Sequence, residues 1–552
     1  MARGALVLAM VALAATCSSG FILGVDFGSE FMKVALVQNG KPFEVITNIH
    51  SKRKTPTVIG FYKGERLFGA DAEQISTRKP KFVLRNPQTL LGRNMSDPIV
   101  QAHAAQPFVG YDIVPSAHGG VALRLAPHED SFPEGRTFTA EELTGMLLAY
   151  AKHFASIFAG GAPISDAIIT VPAFFTQQHR LAMLDAAALA GLRVLALLDE
   201  NTAAGVQYGI DKVHTNTTNL LMFNSGSART QATVIQYTAY KAKGFGKGKV
   251  GQGEVLGACW EDGVGGASVT QALLNLLADA VNAKHSKALE GADIRTLARP
   301  ISKLLKAAKK AKEVLSANTE YTVYVESLTP NIDFSHKVRR ADLEQAAAPF
   351  LAGAMKPIAC ALEAANLTLA DIHAVELIGG SVRVPAMQAL LKETFAPANL
   401  TLGMHMNGDE AMALGAAFVA ANRSTSFRVR QVGMVSTTPF SVGVELTDLP
   451  GAEVDTPLSK RSTLFKAGNK LGNLKKLSLK HSTDMVASLA YTSDAPLPAS
   501  AQTFLAAYNI TGLAAAVANH STLDAPKVSL TFQLDHNGIV RVTKAEAVFE
   551  EW

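Results

Sequence analysis

The segment GVDFGSEF (Gly24 to Phe31) places an acid, a glycine and a serine between two apolar runs, Ile22 to Val25 and Val34 to Val37. A glycine turn between strands can offer backbone N–H groups to a phosphate, because no Cβ blocks the approach. An acid beside it cannot touch phosphate directly, but it can hold a water-coated Mg²⁺ that bridges the two. Asp26-Phe27-Gly28-Ser29 therefore reads as a magnesium–phosphate turn, against the plainer alternative of an ordinary hairpin. Two further stretches, DGVGGASVTQALL and LIGGSVRVPAMQALL, put Gly-Gly ahead of a helix. In the second, Gly379, Gly380 and Ser381 lie between a buried strand and the helix, where backbone can approach a flat ring or a ribose. Helix entry alone is the alternative, but three such turns are harder to dismiss than one.

The elements that would position these turns alternate. SDAIITVPAFF reads as a buried strand ending in a Pro turn, QQHRLAMLDAAALAGL as a helix and RVLALLDE as another strand, which argues for α/β architecture. TNLLMFNSGSARTQATVIQY (Thr218 to Tyr237) repeats the opening layout, with Asn224 where Asp26 stood and Gly226-Ser227 where Gly28-Ser29 stood. Two copies of one strand–turn–strand unit predict two similar lobes with a ligand cleft between them. RVRQVGMVSTTP, just past Phe427, has no period and reads as a linker. Short strands follow; in KVSLTFQLD the apolar residues alternate and Asn537-Gly538 supplies a tight turn, predicting an all-β sandwich.

With 552 residues the chain is too long for one core. Its 48% hydrophobic content and formal charge of +5 describe a globular protein, without the dominant basic patch that nucleic acid requires. The Lys/Gly run from Lys241 to Glu254 reads as a solvated hairpin loop. Arg3, the apolar run ALVLAMVALAA and the small residues Ser18, Ser19 and Gly20 describe a secretory signal over residues 1–20, too short for a membrane anchor. No later stretch is apolar enough to span a membrane. After cleavage only Cys259 and Cys360 remain, so no disulfide framework is expected. Sequons at Asn94, Asn216, Asn366, Asn399, Asn422, Asn509 and Asn519 could carry sugar in a secretory compartment. No HExxH, paired CxxC or nucleophile elbow is present, so protease and zinc chemistry have no support.

In order, GVDFGSEFMKVAL, AIITVPAFFTQQHRLAMLDAAALAGL, ENTAAGVQYGIDK, IGGSVRVP and NGDEAMALGAA resemble the signatures of the 70-kDa heat-shock protein ATPase domain. The resemblance implies an α/β, two-lobed, actin-like ATPase domain over 21–427, a linker over 428–436 and a β-sandwich polypeptide-binding domain over 437–552. It also implies ATP or ADP with Mg²⁺ in the cleft. LDHNGIVRVTKAEAVFEEW, with the signal and the opening turn, looks most like the large glucose-regulated (hypoxia up-regulated) branch of the endoplasmic reticulum. Carried over, Asp26 would face the magnesium shell, Gly28, Ser29, Glu30 and Phe31 the phosphates, and Glu200 the metal and attacking water. Gly226, Ser227, Gly265 and Gly266 would line the nucleotide. Lys312 and Ser316 fall at adenosine-contacting positions, although Glu313 replaces the usual arginine. Gly379, Gly380, Ser381 and Arg383 would flank base and ribose, and Asp409 lies in a further cleft motif. Lys303, Lys306, Lys309 and Lys310 read as a solvated helix face.

The departures concern hydrolysis. The family's lysine aligns with Gln88, an acid with Asn224, a threonine with Arg229 and a further acid with Gln231. Hydrolysis needs a positioned water and compensation of charge on the γ-phosphate, so the expectation is ATP binding with slow or absent turnover. The resemblance implies a stress-response chaperone of the endoplasmic reticulum lumen that holds unfolded or nascent secretory polypeptide. It also implies nucleotide exchange on a conventional lumenal 70-kDa chaperone. A fully cycling ATPase chaperone and a sugar kinase on the same fold are the alternatives. Family members continue into a helical lid, and neither a lid nor a KDEL-like end follows FEEW; a truncated form or a lidless grip would account for this.

Overall fold

The computed structural model describes residues 20–127, 132–210, 212, 216–241, 249–424, 427, 433–451, 457–498, 500–520 and 523–550. The signal expected over 1–20, apart from Gly20, lies outside the described residues, as do 428–432 of the expected linker, 242–248 of the Lys/Gly run and the last two residues.

Two six-stranded sheets repeat one topology. In the first, Phe21–Phe27 pairs antiparallel with Phe31–Gln38 and parallel with Asp166–Val171, which pairs parallel with Arg193–Asp199. In the second, Thr218–Ser225 pairs antiparallel with Arg229–Lys241 and parallel with Ala374–Ile378, which pairs parallel with Leu402–Gly403. The inner strands are buried on both faces, hence their continuous apolar runs. The internal repeat legible in the sequence is thus a repeat of sheet order and direction.

Two large apolar clusters fill the lobes, and a third lies between them around Ala203, Ala204, Ala413, Ala416 and Ala417. Its small residues are a packing requirement. A Cβ on Gly415 would stand 1.8 Å from the Ala203 carbonyl oxygen, and one on Gly24 would stand 2.4 Å from the Ala417 nitrogen. The helix Ala411–Arg423 therefore lies backbone to backbone on helix Glu200–Gly209 and on strand Phe21–Phe27. That contact fixes Glu200 and Asp26, which stand at the ends of those two elements, relative to each other.

Residues 433–435, part of the stretch read as a linker, form the strand Gly433–Val435, which pairs parallel with Gln252–Glu254 at the edge of the second sheet. Beyond it lie two antiparallel sheets. One has Ser459–Phe465, Val442–Asp448, Met485–Tyr491 and Phe504–Ile510 in that order; the other has Leu474–Lys480, Lys527–Leu534 and Val540–Val548. Alternating residues of both, among them Val442, Val444, Leu446, Leu530 and Phe532, enclose one core. One short helix, Leu513–Asn519, interrupts the strands.

This β unit is seated on the first lobe. Asn537 of the Asn-Gly turn accepts from the Leu197 N–H at 2.9 Å, and its carbonyl accepts from Arg180 at 3.2 Å. Gln177 accepts from the Val540 N–H at 2.9 Å and donates its own backbone N–H to the Tyr491 hydroxyl at 2.8 Å. Asn94, one of the sequons, donates to the Ser500 carbonyl at 3.2 Å, whereas Asn216, Asn366, Asn399, Asn509 and Asn519 are exposed. The two cysteines, which do not amount to a framework, nonetheless form one disulfide, joining Cys259 on a sheet strand to Cys360 on helix Lys356–Ala364. Among the described residues no helix is long and apolar enough to cross a membrane.

Candidate functional site

A cleft of about 470 Å³ separates the two lobes. Its floor on the first lobe is the turn after Phe21–Phe27, where a Cβ on Gly28 would stand 2.6 Å from the Phe31 carbonyl oxygen and close the turn. On the second lobe three glycine turns rest on one another. The Gly266 N–H donates to the Gly226 carbonyl at 2.9 Å, and the Ser381 hydroxyl donates to the same carbonyl at 2.6 Å. A Cβ on Gly265 would come within 2.5 Å of the Ser227 carbonyl oxygen. Gly379 has φ +85°, and a Cβ there would lie 2.3 Å from the Ser225 carbonyl oxygen, so this position needs glycine on both counts. The stack makes a backbone cradle with no side chain in the way.

Of the residues singled out in the sequence, Asp26, Gly28, Ser29, Glu30, Phe31, Glu200, Asn224, Gly226, Ser227, Arg229, Gly266, Lys312, Ser316, Gly379, Gly380, Ser381, Arg383 and Asp409 line the cleft. Gly265, Gln88 and Gln231 stand behind its surface, the two glutamines fully buried. The mouth is closed by ion pairs. Arg383 reaches Asp409 at 2.7 Å, and Lys54 reaches the same carboxylate at 3.4 Å. Glu30 on the first lobe meets Lys309 on the second at 2.6 Å. Burial works to raise the Glu30 pKa, but the Lys309 ammonium, with Lys312 behind it, overrides this and holds the carboxyl at about 2. Lys309 is thus not on a solvated face, as the sequence led us to expect. It stands three residues before Lys312 on helix Ala298–Ala317, hence on the cleft side of that helix. The Lys312 ammonium donates to the Gly266 carbonyl at 3.0 Å.

The inner end of the cleft is a network of unlike groups. Arg229, buried, donates to the Gln88 side-chain oxygen at 3.0 Å, lies 5.4 Å over the Phe174 ring and approaches Glu200 to 3.9 Å. Gln88 donates in turn to the Phe27 carbonyl, tying the two lobes together. Glu200 accepts from the Gln231 amide at 2.6 Å, and Gln231 accepts from the Ala173 N–H at 3.1 Å. Burial raises the Glu200 pKa, with Arg229 opposing. Asn224 faces the Met412 sulfur at 3.8 Å. The two residues that replace acids, Asn224 and Gln231, are thus neutral and held by the protein itself.

One residue escaped the sequence reasoning. Lys33 lines the cleft, buried, with its ammonium 2.6 Å from Asp26, whose other oxygen accepts from Thr170 at 3.1 Å. The signal was available. Asp26 and Lys33 are cross-strand partners, equidistant from the centre of the Ser29-Glu30 turn. Among the described residues no group of three or more His, Cys, Asp or Glu side chains is placed to hold a metal ion. In sum, the cleft offers a backbone cradle free of side chains, with Lys33, Lys54, Arg229, Lys312 and Arg383 balancing Asp26, Glu30, Glu200, Glu313 and Asp409 around it, an arrangement that can hold a polyanion carrying a flat base.

A family model described as Hsp70 protein matches residues 22–551. Hypoxia up-regulated protein 1 of Xenopus tropicalis is 33% identical over 550 residues, covering 98% of this chain and 83% of that protein. Its human namesake is 31% identical over 553 residues, covering 96% of this chain and 53% of that one. Heat shock 70 kDa protein 17 of Arabidopsis thaliana is 33% identical over 558 residues, covering 99% and 62%. The chain therefore spans between about half and four-fifths of the length of these relatives.

Proposed function

Because the chain belongs to the Hsp70 family, we propose that it is an ATP-binding chaperone of the secretory pathway whose own hydrolysis is slow or absent. It holds unfolded or nascent secretory polypeptide in its C-terminal β-sandwich and acts as a nucleotide exchange factor for a conventional lumenal 70-kDa chaperone. The lobes form an actin-like clamp. Residence in the endoplasmic reticulum lumen and a place in the stress response belong to the same proposal, supported by likeness to hypoxia up-regulated proteins. The sugar-kinase alternative loses its ground, since the family match runs on through the β unit to residue 551.

The nucleotide fits the residues present. The glycine cradle excludes side chains where phosphates would lie, and Arg229 keeps its Nε and Nη1 without hydrogen-bond partners although buried. One observation carries the proposal of poor hydrolysis: Gln88, Arg229, Glu200 and Gln231 stand in a row, joined by a hydrogen bond at 3.0 Å, an ion pair at 3.9 Å and a hydrogen bond at 2.6 Å. Glu200 already receives an amide proton at 2.6 Å and is poorly placed to take one from an attacking water. Removing one positioned acid–base group typically slows a reaction by about 10²- to 10⁴-fold. Such a chain would stay in the ATP-loaded form that engages a partner, which is what an exchange factor needs.

The test is single-turnover ATP hydrolysis and ATP affinity on one preparation, with and without a conventional lumenal 70-kDa chaperone. Expected are ATP uptake, phosphate release at least about 10²-fold slower than in intact family members, and faster ADP release from the partner. Turnover as fast as in intact members would refute the slow-hydrolysis proposal. The combined change Gln88→Lys, Arg229→Thr and Gln231→Asp should raise turnover.

A further inference from the structure

The charges at the inner end of the cleft differ in kind from those of a site built for a hydrated divalent cation. Mg²⁺ keeps most of its water and is held through carboxylates arranged around an octahedral shell. Here two carboxylates, Asp26 and Glu200, face two cations, Lys33 and Arg229, so the four formal charges cancel. Lys33 contacts Asp26 at 2.6 Å with 10% and 2% of the two side chains exposed, so the ammonium stands where a metal's water shell would meet that acid. Glu200 has one oxygen taken by the Gln231 amide. Asn224 and Gln231 hold the positions where further acids would draw a dication in, and both are neutral. Arg229 meanwhile is a buried cation lining the same cleft, whose Nε and Nη1 make no hydrogen bond, Nη1 lying 3.9 Å from Glu200. A dication entering here meets carboxylates whose charge Lys33 and Arg229 already neutralise, whereas a triphosphate meets a guanidinium with N–H groups left to donate.

We infer that the cleft takes a nucleoside triphosphate without requiring a divalent cation, Lys33 and Arg229 supplying the positive charge that Mg²⁺ supplies in a site of carboxylates. This rests on the proposed ATP binding, and it replaces the water-coated Mg²⁺ that the sequence led us to expect beside Asp26. The residues do not fit that ion: its one anchoring acid is already paired, and the acids that would assist are amides. The assignment also explains why Arg229 occupies a turn position where a smaller residue would leave more room. Its guanidinium is carried by the Phe174 face and the Gln88 oxygen, so it is held toward the cleft and away from solvent.

The experiment is calorimetric titration of ATP into the purified chain in excess Mg²⁺ and, separately, in excess EDTA. Expected are dissociation constants that agree within about fivefold; a larger loss of affinity in EDTA overturns the inference. No uptake in either buffer instead overturns the proposed ATP binding, and this inference with it. Lys33→Met, combined with Asp26→Asn so that no buried charge is left alone, should bind at least about tenfold more weakly in EDTA than the parent chain. Arg229→Thr should do likewise and serves if the double variant does not fold. EDTA affinity unchanged in a folded variant shows that these cations do not do the metal's work, and the inference fails.

Discussion

Replacing Gln177 by Ala should loosen the seating of the β unit on the first lobe without weakening either body. The Gln177 side chain is buried between the two, where its oxygen accepts the Val540 N–H at 2.9 Å. Its NH₂ lies at 3.5 Å from the Val540 carbonyl, a contact too long to add much. In the seated arrangement Gln177→Ala leaves one buried N–H unmade, at a cost of about 1–3 kcal/mol; once the bodies separate, water satisfies that group and the cost vanishes. Taking about 2 kcal/mol, the seated-to-separated ratio falls by roughly 30-fold. Tyr491→Phe acts on the neighbouring bond, orphaning the Gln177 backbone N–H that its hydroxyl accepts at 2.8 Å, with a similar cost. Burial pushes the Tyr491 pKa up to about 12, so the hydroxyl stays neutral through the physiological range. The assay is hydrogen exchange at the Val540 amide, whose protection in the seated state depends on Gln177. Exchange should quicken by roughly 30-fold in Gln177→Ala while the melting temperature of the β unit holds. Unchanged exchange together with a lowered melting temperature would refute the seating role and make Gln177 a strut of the first lobe.

Two further outcomes follow from buried groups away from the cleft. His179 and His103 are buried and lowered from 6.5 to about 3 and about 4, chiefly by desolvation. A histidine with a depressed folded pKa contributes stability present above pH 6.5 and lost as pH falls toward the folded value, because the unfolded chain takes up the proton first. By pH 5 each should cost about 2 kcal/mol; melting followed from pH 7 to pH 5 should show the loss, and His179→Gln with His103→Gln should flatten it. The disulfide between Cys259 and Cys360 closes a loop across 101 residues, for which chain entropy gives about 4–5 kcal/mol. Cys259→Ser with Cys360→Ser, or reduction of the parent chain, should lower the melting temperature by several degrees, and identical melting with and without reductant would exclude the contribution.

The sheets and their repeat were legible because buried strands write themselves as continuous apolar runs, and because the turn after each first strand carries a Gly-Ser pair. Ile22 to Val25 and Leu220 to Phe223 are both apolar throughout and both fully buried. The cleft-lining set was legible through its glycines: a Cβ on Gly28, Gly266 or Gly379 would collide with a neighbouring turn or with its own. Lys309 was misread because four lysines on one helix look alike in sequence, and only the other lobe supplies the acid that distinguishes one of them. Lys33 is hard to find because the motif signal lies in the turn and not in the residue paired across it from Asp26. Nothing local to Gln177, Asn537 or Cys360 announces a partner 363, 340 or 101 residues away. Such contacts are set by how bodies are placed, and single-sequence periodicity carries no information about that.

Rings of four residues stand between the inner cleft and the β unit. Arg229 lies over Phe174 at 5.4 Å, Phe174 packs on Trp260 at 5.7 Å, Trp260 on Phe440 at 5.9 Å and Phe440 on Tyr491 at 5.4 Å, next to the bond with Gln177. Contact of this sort is not coupling by itself; coupling requires an element with two arrangements that both ends bias. The seated β unit is that element if the guanidinium at the head of the row moves when phosphate enters. An arginine there, in place of a smaller neutral residue, changes what the row can respond to. A threonine hydroxyl would sense a hydrogen bond alone, whereas Arg229, 5.4 Å over the Phe174 ring, would on the proposed function answer to the charge of the ligand. On the proposed function the same substitution thus has two effects that agree. It sets a cation 3.9 Å from Glu200, whose other oxygen the Gln231 amide occupies, and it would hand the ligand's charge to the aromatic row that reaches the β unit, so that a chain poor at hydrolysis would still register bound ATP.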